Sequence, residues 1–387
     1  MRTSRRIAAG VVAALAVVLP TALTDTASIA QASPDAGPTA IVSLGDSFIS
    51  GEAGRWNGNS NSAWASRRGT DRAYERRGWF GWTYDRENVY PGTVSNGCHR
   101  SDVAPILSNS IPVQAKINLA CSGAATGDVI DQWFKGEAPQ SQQLRSVAQI
   151  NDVKMVVLSI GGNDLGFADI IISCTLQFST SFSSNPNLCR DDQQALVDQR
   201  MPAAMAGVDE SIDAIRSSMA AEGYGDADYR LVVVSYPSPV PRGAEIRYDE
   251  SGYSRLTTGG CPFWNADADW ARDSLVPQIS DSLRAVAADN DAEFLDYRDA
   301  FQGNENCSTS AQRASRRGPN PATAEWARWV GTGILQGDAQ ESVHPNAYGQ
   351  RALGDCLGLL WNQPADREWR CDNTPNAGPE QMVLSGI

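Results

Sequence analysis

Histidine is almost absent from this sequence: His99 and His344 are the only two in 387 residues. Any reaction that needs an imidazole has two candidates, and the H-E-x-x-H arrangement of a helical zinc site is excluded. Lysine is nearly as scarce, limited to Lys116, Lys135 and Lys154. The other basic residues are arginines, and the formal net charge of −13 leaves no basic footprint for nucleic acid. No close Cys-x-x-Cys pair occurs, which argues against a thiolate metal site. No G-x-S-x-G pentapeptide occurs, which argues against the nucleophile elbow of an α/β-hydrolase. The N-terminal apolar run, Ile7 to Leu19, has 13 residues and is too short to span a bilayer.

That run has the parts of an export signal. Arg2, Arg5 and Arg6 precede it, Pro20 closes it, and Ala30-Gln31-Ala32 supplies a small-x-small cleavage site. The expectation is a secretory signal over residues 1–32 and a secreted, extracellular mature chain from Ser33, against the competing reading of a retained membrane anchor. Eight cysteines in an exported chain imply up to four disulfides. Sequential pairing is favoured because each bridge then closes a local loop: Cys98–Cys121, Cys174–Cys189, Cys261–Cys307 and Cys356–Cys371.

Five short apolar, β-branched segments read as buried parallel strands: Ala40–Leu44, Lys116–Leu119, Met155–Ile160, Leu231–Ser235 and Glu293–Leu295. Helical periods lie between them. Val208, Ile212, Ile215 and Met219 line one face ahead of Gly223, and Leu275, Ile279, Leu283 and Val286 repeat the pattern. Alternating strand and helix argues for an open parallel sheet covered on both faces, with the site beyond the carboxyl ends of the strands. Residues 33–387 read as a single domain. Residues 53–92 interrupt it as an aromatic- and Arg-rich insertion that sustains neither a strand nor a helix period, a length of loop that is usually functional. The tail after Cys371 reads as loosely ordered.

The loops at the ends of the strands hold the candidate chemistry. Gly45-Asp46-Ser47 comes after the first strand, Ser122-Gly123-Ala124 after the second, and Gly162-Asn163-Asp164 after the third. Ser47 needs a base to act as a nucleophile. His344, before the C-terminal helical stretch, is the candidate; His99 adjoins Cys98, where a disulfide would pin it. The Ser47 N–H, the Gly123 N–H and the Asn163 amide are candidate oxyanion donors. Each residue also has a plain structural reading: Asp46 or Ser47 as a helix cap, Gly123 as a turn, Asn163 as a cap for a helix near Asp164.

Four segments, "GDSFISGE", "ACSGAAT", "SIGGND" and "ESVHPNAYG", resemble the ordered sequence blocks of the SGNH hydrolases, the GDSL esterase/lipase family. The Cys-His-Arg-Ser run at 98–101 and the cysteine layout resemble its secreted actinobacterial branch. The resemblance implies a three-layer α/β/α sandwich around a mainly parallel, flavodoxin-like sheet of about five strands. It implies Ser47 as nucleophile, His344 as general base, and Ser47, Gly123 and Asn163 as the oxyanion hole, with Asp46 shaping the nucleophile turn. The family usually carries Asp three residues before the histidine; this chain has Glu341. Glu341 could orient His344, or a backbone carbonyl could do so, with Asp338 a remoter third choice.

The resulting expectation is a monomeric serine esterase that needs no cofactor or metal and binds no nucleic acid. Its substrates would be carboxylic esters, lipid or phospholipid acyl esters first, with transient contact at a lipid interface through the aromatic insertion. A carbohydrate esterase removing acetyl groups, and a non-catalytic extracellular binding protein, are the alternatives.

Overall fold

The computed structural model describes residues 37–61, 70–77, 81–314, 320–331, 337–365 and 367–387. The expected export signal, Trp64, Arg67, Arg68, Trp79 and Phe80 lie outside the described residues. In chain order the elements are strand β1 (Thr39–Gly45), the one-turn helix α1 (Ser47–Ser50), β2 (Tyr74–Arg77), β3 (Gly81–Tyr84), α2 (Pro105–Ser108) and β4 (Ala115–Asn118). Then come α3 (Thr126–Ile130), α4 (Gln140–Ala148), β5 (Asp152–Ser159), α5 (Phe167–Thr180), α6 (Cys189–Ala221) and β6 (Arg230–Val234). The last are α7 (Asn265–Trp270), α8 (Val276–Asp289), β7 (Glu293–Asp296), α9 (Ala347–Trp361), β8 (Trp369–Asp372) and β9 (Val383–Gly386).

The main sheet has seven strands in the order β4-β1-β5-β6-β7-β8-β9, parallel throughout except for the β8–β9 pair. Over β4-β1-β5-β6-β7 this is the flavodoxin-like order, with its topological switch between β4 and β5 on either side of β1. Alternation along the strands divides the core into two layers. Val42, Leu44, Val156, Leu158 and Val233 pack with Leu144 of α4, Val208 and Ile212 of α6 and Leu283 of α8. Ile41, Met155, Val157 and Val232 point the other way, onto Ile106 of α2 and Leu353 and Leu357 of α9. Strands buried on both faces are predominantly apolar, which is why they read as near-continuous runs, and the buried Ser43 of β1 finds a partner in Asn118 of β4.

The sheet is wider than the five strands the sequence suggests, and the tail after Cys371 is ordered. β8 is short and polar, Trp-Arg-Cys-Asp, and β9 is an exposed edge, so neither carries the buried-strand signal. What orders them is tertiary: Cys371 is bonded to Cys356 of α9, Met382 is buried in the second of the two core layers, and the Met382 N–H donates to Asp355 at 3.0 Å. The other bridges are Cys98–Cys121, Cys174–Cys189 and Cys261–Cys307, and no described cysteine is free. Within residues 53–92, β2 and β3 form an antiparallel hairpin in which Tyr74 faces Tyr84. This segment has no apolar period because polar contacts organise it. Arg55 makes two bonds of 2.8 and 2.9 Å to the buried Asp71, and Trp56 is almost fully buried.

One backbone approach fixes the carboxyl edge of the sheet. Gly45, at φ +134°, lies so close to β5 that a Cβ would sit 1.9 Å from the Ser159 carbonyl oxygen. The Gln140 side chain brackets the same glycine, accepting from its N–H at 2.6 Å and donating to its carbonyl at 2.9 Å. Gly45→Ala must therefore separate β1 from β5 or strain the backbone. We expect a loss of about 3 kcal/mol or more in denaturant unfolding, the range of a clash at a special φ; a wild-type midpoint would contradict the packing.

Candidate active site

Beyond Gly45 the chain turns sharply. Asp46 is the N-cap of α1, accepting from the Phe48 N–H at 3.0 Å, and Gly51 ends the turn at φ +103°. The other Asp46 oxygen accepts from the Tyr236 hydroxyl at 2.5 Å, and that hydroxyl accepts from the Gly162 N–H at 3.1 Å. The turns after β1, β5 and β6 are thereby tied together. Burial pushes the Asp46 carboxyl up to about 7, against the pull of Tyr236 and the Phe48 N–H. Capping thus belongs to Asp46, and Ser47 is left with its hydroxyl and its N–H unspent by the helix. A four-residue helix has little macrodipole, so it is the free N–H rather than a dipole that this end offers.

His344 meets Ser47 from the far end of the chain. Its Nε2 lies 2.6 Å from the Ser47 Oγ, and its Nδ1 lies 2.9 Å from the Ser342 carbonyl oxygen. A carbonyl only accepts, so Nδ1 carries the proton and Nε2 presents its lone pair to the serine hydroxyl, the tautomer a general base needs. The preceding Val343 sits at φ +59°, a costly conformation for a β-branched residue. It is held by two backbone bonds, the Val343 N–H to the Arg328 carbonyl at 2.9 Å and the Arg328 N–H to the His344 carbonyl at 2.8 Å. Burial lowers the His344 pKa from its ordinary value, while the charge of Glu52 and the backbone acceptors around the ring oppose the shift.

Glu341 does not orient His344. Its buried carboxylate accepts from Trp56 Nε1 at 2.8 Å, the Tyr90 hydroxyl at 3.3 Å and the Asp338 N–H at 3.0 Å, and lies 3.7 Å from Arg55. The extra methylene carries the group past the imidazole into the insertion, so Trp56 and Tyr90 support the histidine loop from behind. Of the alternatives, the backbone carbonyl, that of Ser342, takes the Nδ1 proton. Asp338 pairs with Arg86 at 2.9 Å.

Gly123 and Asn163 flank Ser47. Gly123 lies at φ +86° in a turn closed by the Ala124 N–H to the Cys121 carbonyl, so it serves the turn and leaves its own N–H unpaired. The Cys98–Cys121 bridge and Lys135 Nζ, 2.6 Å from the Ser122 carbonyl oxygen, fix this loop. Asn163 does not cap a helix; its Nδ2 donates to the Ala124 carbonyl at 2.8 Å, which uses one of two hydrogens. Ser47, Gly123, Asn163 and His344 all line a cavity of about 480 Å³. One wall is apolar: Phe167, Ile171, Ile172 and Leu176 of α5, with Val330 opposite. No described residue of the 53–92 segment lines it.

A model of the GDSL-like lipase/acylhydrolase family matches residues 89–352, a span that takes in Gly123, Asn163 and His344 and begins after Ser47. The chain belongs to this family of ester hydrolases. Its relatives include a lipase of Streptomyces rimosus, 28% identical over 353 residues that cover 90% of this chain and 96% of that one. Lipase 1 of Streptomyces coelicolor is 29% identical over 235 residues, 60% of this chain and 64% of that one. Among solved structures, an extracellular lipase from Streptomyces rimosus aligns over 84% of this chain and 100% of that one, with a TM-score of 0.49 and 24% identity.

The sequence alone assigns no role to Tyr236 or Glu52, and it reads His99 as a residue pinned beside a disulfide. Tyr236 stands directly after the fourth strand, where its position was the available signal. Glu52 ends the "GDSFISGE" block itself.

In this lipase-family site the His344 imidazole should titrate below 6.5, its ordinary value, so that the pH profile of kcat/KM has its acid midpoint there; a midpoint above 6.5 contradicts the burial argument. Glu341→Gln should leave that midpoint in place and keep kcat within about threefold, while thermal unfolding shows a loss of about 1–3 kcal/mol from the weakened Arg55 and Trp56 contacts.

Proposed function

We propose that this hydrolase is a secreted serine lipase/esterase acting on lipid acyl esters through an acyl-enzyme on Ser47. The observation that carries the reading is the 2.6 Å contact between Ser47 Oγ and His344 Nε2 at the floor of an apolar-walled cavity. In the first half-reaction Ser47 Oγ attacks the ester carbonyl carbon as its proton passes to His344 Nε2. The oxyanion takes hydrogen bonds from the Ser47 N–H, the Gly123 N–H and the Asn163 amide. The tetrahedral intermediate expels the alcohol, which receives the proton from His344. In the second half, His344 takes a proton from water, water attacks the acyl carbon, and Ser47 recovers its proton as the acid leaves. The Ser342 carbonyl keeps the ring in register through both.

The substrate class rests on α5. Phe167, Ile171, Ile172 and Leu176 recur at helical spacing along the cavity, and Ile172 and Leu176 are 58% and 56% exposed. An acyl chain laid on that face would remove apolar surface from water, about 0.8 kcal/mol for each methylene buried. Exposed Phe182, just beyond α5, continues the apolar rim and supports transient contact with a lipid surface. Four disulfides support an oxidising, extracellular location.

Ser47→Ala should lower kcat by more than about a thousandfold on every ester, the scale of removing a serine nucleophile. On a series from p-nitrophenyl acetate to palmitate, with phospholipid and acetylated xylan, kcat/KM should rise with acyl length. Leu176→Glu should cut the long-chain values about tenfold and leave acetate within about twofold, since only longer chains bury methylenes there. A preference for acetylated xylan would overturn the lipid reading in favour of a carbohydrate esterase.

A further inference from the structure

A second histidine–carboxylate pair lies buried behind the first. Glu52 is fully buried one residue beyond the Gly51 cap, and its N–H donates to the Ser47 carbonyl at 3.2 Å. Its carboxylate receives His99 Nδ1 at 2.9 and 3.1 Å, and Gln340 Nε2 at 3.2 Å. The far nitrogen of His99, Nε2, accepts from the Arg86 guanidinium at 3.0 Å. An arginine only donates, so Nε2 is the acceptor and the Nδ1 hydrogen is directed to Glu52; Gln340 Nε2 also lies 2.7 Å from Nδ1, sharing its hydrogens with the Glu52 carboxylate beside it. The ring is further held by stacking on Tyr90, with centroids 4.8 Å apart.

The histidine loop is stapled to this pair from both sides. Gln340, which lines the cavity four residues before His344, bonds the Glu52 carboxylate. Gln350 Nε2 donates both to the Glu52 carbonyl and to the Pro345 carbonyl, each at 3.2 Å. At His344 Nδ1 the acceptor is a neutral carbonyl, which offsets the positive charge gained with the Ser47 proton less than a carboxylate would.

Resting on the serine mechanism above, we propose that Glu52 is a positioning residue that replaces the missing third triad member at a distance, holding a fixed negative charge behind His344 that stabilises its imidazolium. His99 and Arg86 keep that carboxylate ionised and in place. Direct contact is not required, because an unscreened charge in a buried site acts over several ångströms. Glu52 stays below its usual pKa despite burial, through the His99 bond and the nearby His344 and Ser122. The other groups in its field are Lys135, Tyr90 and Glu341, and Glu341 is engaged by Arg55 and Trp56.

The sign is definite. A negative charge raises the pKa of His344; removing it lowers that pKa. Glu52→Gln keeps the shape and an acceptor for His99, so the His344 pKa should fall by about one pH unit, the size of a nearby buried charge. The acid limb of kcat/KM should move to lower pH with it, while the plateau kcat drops about tenfold. Glu52→Asp, which keeps the charge, should leave the limb near its wild-type position. The chain has only two histidines, so NMR titration of the ring carbons reads both pKa values without relying on activity. Should Glu52→Gln not fold, His99→Phe keeps the Tyr90 stack but removes the donor; Glu52 then protonates at higher pH and the His344 midpoint should again fall. A lost kcat with an unmoved His344 pKa in these variants would make Glu52 merely structural and overturn the proposal. A Ser47→Ala enzyme that stays active would instead overturn the serine mechanism, whatever the titration shows.

Discussion

Gly45 and Ser159 meet backbone to backbone where β1 and β5 end, and the site depends on that approach. With no side chain between them, the turn carrying Ser47 lies directly beside the turn carrying Asn163, and Gln140 clamps the glycine from a third side. The Asp46–Tyr236–Gly162 chain of hydrogen bonds then ties in the turn after β6. A parallel sheet brings its carboxyl ends to one edge in any case. Here the edge brings Ser47, Gly123 and Asn163, from the ends of β1, β4 and β5, around one cavity.

His344, the proposed base, comes from a loop rather than from the sheet, and its position needs more support. Val343 holds a strained backbone against Arg328, Ser342 fixes the tautomer, and Glu341 anchors the loop to Trp56 and Tyr90. Buried carboxylates surround the histidine without touching its ring. Asp46 braces the turn that carries Ser47, Glu341 braces the loop, and Glu52 faces His99. The described residues of the 53–92 segment hold the histidine loop from behind, through Arg55, Trp56 and Tyr90 on Glu341, and leave the cavity wall to α5.

The inner strands were legible because burial on both faces favours near-continuous apolar runs, and the placement of the loops after them comes from topology. Ser47, Gly123 and Asn163 stand at three such ends, and the scarcity of histidine isolates His344. β8 and β9 were not legible, because a disulfide and edge pairing order them rather than their own composition. The β2–β3 hairpin was hidden for a similar reason, its order coming from the Arg55–Asp71 pair. Glu341 was the instructive miss. Its spacing from His344 matches an orienting acid, but its longer side chain finds Trp56 and Tyr90, residues more than 250 positions away. Glu52 was in plain view within the first block, yet its partner His99 is brought to it only by the fold.

Ser47 is proposed as a nucleophile activated by His344. The most direct measurement is labelling of the folded protein with a serine-reactive fluorophosphonate, followed by peptide mass spectrometry. One adduct is expected, on Ser47, formed in step with loss of ester hydrolysis and nearly absent from His344→Ala. Full loss of hydrolysis with the adduct on another residue, or undiminished labelling of Ser47 in His344→Ala, would contradict it.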